Sequence, residues 1–110
     1  MSFPETASEL FERMPGNFKP EVAGDLDAVI QFDLTGDGGG TWAATIAHGK
    51  CQVVESPADD PTLTLTMDAN EYMAMCRGEL NAVTAFMTRK IKVKGDVGLA
   101  MKLQSLFGIG

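Results

Sequence analysis

Histidine and cysteine are scarce in this chain: one of the first and two of the second in 110 residues. A His/Cys metal centre needs more ligands than that. His48 sits in a predicted turn, so a histidine-based acid–base relay has almost nothing to work with. Cys51 and Cys76 form no Cys-x-x-Cys pair, and two cysteines make no disulfide framework. Two free thiols in a reducing cytoplasm are expected. Long apolar runs are also missing. No segment approaches the ~18 residues that a bilayer span needs. Cations are few, 9 against 15 acidic residues, for a net charge of −6. The one local cluster, Arg89 to Lys94, has no interleaved aromatics, which excludes a nucleic-acid surface. Met1 to Arg13 is acidic and amphipathic, unlike a signal peptide. The final Gly108-Ile109-Gly110 is not the peroxisomal Ser-Lys-Leu. A cytoplasmic, stand-alone protein is the expectation, with one domain over residues 1–110 and a single core.

Hydrophobic residues make up 45% of the chain, and they fall in two periods. Ser2 and Glu5 have capping-box spacing with Pro4 in the first turn. Leu10, Phe11 and Met14 then form the apolar side of a helix that Pro15-Gly16 is expected to stop. Pro20 to Ala23 reads as one helical turn ended by Gly24. From Ala28 the period becomes two. Ala28, Ile30, Phe32 and Leu34 face one way, and Trp42, Ala44 and Ile46 continue that face on the return strand. His48-Gly49 reads as a two-residue hairpin turn. Lys50 to Ser56 is a third strand, and Leu63, Leu65 and Met67 alternate with threonines in a fourth. Asp68 caps a helix through Cys76, with Tyr72, Met73 and Met75 as its bulky residues and Gly78 closing it. Asn81 starts another, a Lys90–Lys94 strand follows, and Asp96 starts the last helix. Each strand has one apolar face, so an α+β fold is predicted, its sheet covered by helices on one side and wet on the other.

Most motifs read as structure. Asp33-x-Thr35-x-Asp37-Gly38 matches the first half of a calcium loop, but Ala44 stands where the bidentate Glu belongs; a hairpin turn is favoured. Gly36 to Gly40 leads into a strand, not the helix N-terminus that a phosphate cradle requires. Gly95-Asp96-Val97-Gly98 does open a helix, yet Asp96 is itself an acceptor, so a plain N-cap is favoured over a bound phosphate. Cys76 has no base beside it and reads as a small hydrophobe. No catalytic residue, metal site or cofactor is predicted. The Arg89–Lys94 cations read first as a solvated edge strand and second as a contact for anionic lipid headgroups.

The last quarter is the most telling. Val97, Leu99, Ala100, Met101, Leu103, Leu106 and Phe107 share a helix with only Lys102, Gln104 and Ser105. That apolar arc is wider than one packing stripe needs, so a partner, a membrane or a greasy ligand could cover the surplus. The run Ala85-Phe86-Met87, then the Lys-rich strand, Gly95-Asp96 and Ala100-Met101-Lys102-Leu103 resembles the C-terminal signature of the sterol carrier protein type 2 domain family. Ala28 to Leu34 with Gly36 and Gly39-Gly40-Thr41-Trp42 looks like that family's first hairpin. Pro61 to Met67 looks like its fourth strand. The resemblance runs from about Glu9 to Phe107. Thr88-Arg89 departs from it, standing where many members carry a Gly-Lys pair, and bears on the local turn.

The resemblance implies an SCP-2-like sheet of about five mostly antiparallel strands, helices over one face, and a hydrophobic tunnel between the layers. It implies carriage of sterols, fatty acids or fatty acyl-CoA without chemistry. Carried over to this chain, the tunnel floor is Phe32, Leu34, Trp42, Ile46 and Leu65, and the roof is Phe86, Met87, Leu103 and Leu106. Gln104 is the candidate head-group hydrogen bond, with a solvent-facing role equally open. Lipid is the implied partner, with a membrane surface or a lipid-metabolising enzyme as further possibilities. Two rival readings stay open. One is an accessory module that shelters a lipid-like substrate, such as an isoprenoid quinone precursor, for a partner enzyme. The other is a fragment of a larger enzyme.

Overall fold

Strands form wherever the sequence alternates with period two. In the computed structural model, which describes residues 6–107 except for the side chains of Ala82, Val83, Leu103, Gln104 and Phe107, five strands make one sheet. They are β1 (Ala28–Thr35), β2 (Gly40–Ala47), β3 (Lys50–Val54), β4 (Leu63–Asp68) and β5 (Lys92–Gly95), in the order β3-β2-β1-β4-β5. The helices are α1 (Ala7–Asn17), α2 (Pro20–Ala23), α3 (Ala69–Cys76), α4 (Ala82–Met87) and α5 (Val97–Phe107). The expected α+β class holds. The sheet is mostly antiparallel, but its central pair, β1 with β4, is parallel, from Ile30 opposite Leu63 to Thr35 opposite Asp68. The β2–β3 turn places His48 at φ 54° and Gly49 at φ 71°, the paired positive dihedrals of a type I′ hairpin, whose twist matches the strands it joins.

The alternation sets which face is buried. Ile30, Phe32, Trp42, Ala44, Ile46, Leu63 and Leu65 all point into the core. Over them lie α1, against β3; α3, against β1 and β4; and α5, against β4, β5 and α2. The opposite face is not simply wet, as the alternation alone suggests. β3 and β4 sit on opposite sides of the β1–β2 pair, so the chain between them must cross the sheet. It crosses on the polar face, where the Ala58 amide donates to Gln31 Oε1 at 2.9 Å. Gln31 Nε2 in turn donates to both oxygens of Asp33, at 3.0 and 3.2 Å. Asp33, the first residue of the calcium-like spacing, is thus engaged with its own strand. Ala43, beside Gln31, is buried on that face.

Several helix and strand ends differ from the sequence reading, among them the third strand, which ends at Val54 and not at Ser56. The Ser2–Glu5 capping box lies outside the described residues, and the N-cap of α1 is Thr6, whose Oγ1 accepts from the Glu9 amide at 3.1 Å. Pro15 does not stop α1, which runs on to Asn17 with the proline inside its last turn. A proline there forfeits one amide donor near an end where the ladder is already closing. The strand expected from Lys90 starts at Lys92, because Lys90 belongs to the turn after α4. That turn matches the one after α3. Glu79 and Gly78 amides donate to Ala74 and Met75 carbonyls, and Lys90 and Arg89 amides donate to Ala85 and Phe86 carbonyls. Both are Schellman caps with a left-handed residue in the last position. In the first that residue is Gly78 (φ 81°), in the second Arg89 (φ 63°).

A side chain in this conformation costs about 1–2 kcal/mol, and glycine avoids the cost. Arg89→Gly should therefore raise stability by up to about 1 kcal/mol once the entropy of the more flexible unfolded chain is subtracted. Urea denaturation checks it. A destabilised Arg89→Gly would mean that the arginine side chain holds the turn.

Candidate functional site

Four rings meet between the sheet and the helices. The apolar stripe of α1 brings Phe11 down onto β1 and β2. Its ring stacks on Trp42 at 4.5 Å and 16°, and on Tyr72 at 5.5 Å and 5°. It tilts against Phe32 at 5.1 Å, and Phe32 meets Tyr72 edge-on at 5.9 Å. These are the offset and edge-to-face arrangements that the ring quadrupole favours. Trp42 lies over Gly40, where a Cβ would sit 2.9 Å from the indole. Any other residue at position 40 would push the ring out of the stack.

Asp68 orients α3. Its carboxylate accepts from the Asn70 and Glu71 amides, at 2.9 and 3.2 Å, which caps the helix and fixes the turn that carries Tyr72 inward. Tyr72 is fully buried, and its hydroxyl has no hydrogen-bond partner. Burial pushes the phenol well above its ordinary pKa, and the nearby Cys76 thiol adds to the rise. Tyr72 is thus a neutral donor. The thiol lies close enough to interact with the phenol, but it is a weak acceptor and makes no hydrogen bond to it by distance and angle. Burial also pushes Cys76 and Cys51 up to about 11. Both stay protonated at neutral pH, poor starting points for nucleophilic chemistry. No charged or polar residue is buried among the described residues.

The floor residues Phe32, Leu34, Trp42, Ile46 and Leu65 are all buried and share one hydrophobic cluster with Leu106. Phe86 and Met87 stand apart from it, 40% and 75% exposed. α4 is only six residues long and turns Ala85 inward. The next two positions, each a further 100° round the helix, point away. The side chains of Leu103 and Gln104 lie outside the described residues. On α5, Leu99 and Leu106 are buried two turns apart, while Val97 and Met101 are about half exposed. Part of the apolar arc read from the sequence thus remains uncovered, at Val97 and Met101. Asp96 caps this helix, its Oδ1 accepting from the Leu99 amide at 3.1 Å, as the sequence favoured. The other end is tied too: the Leu106 carbonyl accepts from the Lys19 amide at 2.8 Å.

Sequence reasoning left Phe11 and Tyr72 out of the candidate site. Phe11 was legible as an apolar helix residue and Tyr72 as a bulky one. That both converge on Trp42 and Phe32 depends on tertiary placement.

Fold and site together define a small α+β unit whose one helix-covered face is aromatic and aliphatic throughout. The chain belongs to the SCP-2 sterol transfer family, whose sequence profile matches residues 8–108. Hydroxysteroid dehydrogenase-like protein 2 of Mus musculus is 32% identical over 105 residues, which cover 89% of this chain and 20% of that protein. The chain thus spans a fifth of that relative's length. The sterol carrier protein domain 2 of Helicoverpa armigera superposes with a TM-score of 0.71 at 27% identity, covering 91% of this chain and 81% of that one. Sterol carrier protein 2 from Yarrowia lipolytica gives 0.72 at 26% identity, covering 92% and 88%. No helix among the described residues is long and apolar enough to cross a membrane.

Proposed function

We propose that this chain is a non-catalytic lipid carrier that holds sterol or fatty acyl ligands between its sheet and its helices. The observation that carries this reading is the aromatic layer of Phe11, Phe32, Trp42 and Tyr72 in an interior with no buried charge among the described residues. Apolar burial, at about 25 cal/mol per Å², would supply the affinity. The floor residues and Leu106 line that layer and are the proposed ligand contacts. Phe86 and Met87 are better placed for the mouth of the site or for a partner surface. Leu103 and Gln104 remain proposed contacts from α5.

Trp42 is the sole tryptophan, so the site carries its own reporter. A fluorescent sterol titrated into the protein should accept energy from Trp42 saturably at micromolar concentration, and unlabelled oleoyl-coenzyme A should reverse it. A signal that neither saturates nor is competed would sink the carrier reading. The length of the dehydrogenase-like relative favours a second reading. There, this unit would shelter a lipid-like substrate for a separate enzyme, and binding would tighten only in that enzyme's presence.

A further inference from the structure

Tyr72 Oη is the one buried side-chain oxygen or nitrogen found without a hydrogen-bond partner among the described residues. Such groups are rare, because a buried hydroxyl that gives up water without a replacement costs free energy. Phenylalanine at this position would fill the same space, keep the stack on Phe11 and avoid that cost. The hydroxyl is carried by the ring that stacks on Phe11 and meets Phe32 edge-on, and it is itself buried. Asp68 and the α3 cap hold it in place from outside the layer.

We propose that Tyr72 is the polar anchor of the ligand site, donating its hydroxyl hydrogen to an uncharged oxygen of the bound lipid. This rests on the lipid-carrier reading above and narrows its ligand class. A phenol that stays protonated donates readily, so its partner must be an acceptor. No cationic side chain is buried among the described residues to pair with a carboxylate. An ionised fatty acid drawn in to Tyr72 would thus be desolvated without compensation. A hydroxyl, ester or ketone oxygen carries no such penalty. The preferred ligand is a neutral lipid whose single polar end sits inward, beside α3, with its hydrocarbon along the floor of Phe32, Leu34 and Leu65.

The test uses three 12-carbon probes, dodecanol, dodecane and dodecanoate, measured by equilibrium dialysis at pH 8 with wild type and Tyr72→Phe. Wild type should bind dodecanol about tenfold more tightly than Tyr72→Phe does, the worth of one well-made buried hydrogen bond. Dodecanoate should bind more weakly than dodecanol. Tyr72→Phe should lose that affinity for dodecanol alone, leave dodecane unchanged, and melt without ligand no lower than wild type. Wild-type binding of dodecanol in the mutant overturns the proposal, because the hydroxyl is then satisfied otherwise, by the Cys76 thiol or a buried water. Equal loss of dodecanol and dodecane also overturns it, since the ring would then act by packing alone. Dodecanoate binding more tightly than dodecanol overturns the choice of a neutral ligand. If wild type binds none of the three, the carrier reading fails, and this proposal fails with it.

Discussion

Phe11→Ala is expected to destabilise the protein by about 3–5 kcal/mol, the usual cost of deleting a buried aromatic ring. Phe11 is 1% exposed and stands at the centre of the cluster. Its ring touches Phe32, Trp42 and Tyr72, so its removal ends three ring contacts and leaves a cavity among stiff neighbours. A stack contributes about 0.5–1.5 kcal/mol beyond area burial, which puts the value toward the top of that range. The melting temperature should fall by roughly 20 °C on the usual scaling for a chain of this size. Phe11→Leu keeps most of the volume and should lose about half as much. A drop below about 1 kcal/mol for Phe11→Ala would show that α1 rests on the sheet without being clamped to it.

Leu106→Glu should be at least as damaging, and should act on the fold before it acts on any ligand. The sequence resemblance makes Leu106 a roof residue, a position that would tolerate change if α5 were only a cover. The side chain is fully buried, and the backbone of that residue ties α5 to the segment before α2. Removing the leucine alone costs about 2–5 kcal/mol. A carboxyl in its place must be desolvated or protonated as well. Domains of this kind have about 5–15 kcal/mol in total, so Leu106→Glu should be largely unfolded at 37 °C. Leu106→Met, which keeps volume, should lose less than about 1.5 kcal/mol. Circular dichroism against temperature separates the two. A Leu106→Glu protein that melts close to wild type would mean that α5 lifts from the sheet at little cost.

The strand faces, the caps at Asp68 and Asp96 and the His48-Gly49 turn were legible because each is set by residues within a few positions of one another. The errors came where distant contacts decide. Pro15-Gly16 reads as a stop, yet α1 continues past it with Leu10, Phe11 and Met14 buried along its length. Lys90 was read as strand because it fits the alternation. In the fold it sits in the left-handed turn after α4 and pairs with Glu71 at 3.2 Å. The strand order could not be read at all. Nothing local in Leu63–Met67 says that it lies parallel to β1 instead of next to β3. The candidate site divided along the same line. The buried strand face that holds Phe32, Leu34, Trp42, Ile46 and Leu65 followed from alternation, but the unpartnered Tyr72 hydroxyl is a property of everything around it.

The parallel contact between β1 and β4 also governs how this chain can be made. Val29 meets Thr62 across 33 positions of sequence, so β1 cannot acquire its second neighbour until β4 has left the ribosome. Before that, the nascent three-strand meander presents Ile30, Phe32 and Leu34 beside an open row of amides and carbonyls. Such an edge invites pairing with another chain. A pause before β4 has cleared the ribosome would prolong the interval in which aggregation competes with folding, whereas a pause after it has cleared would come once the exposed edge had been closed.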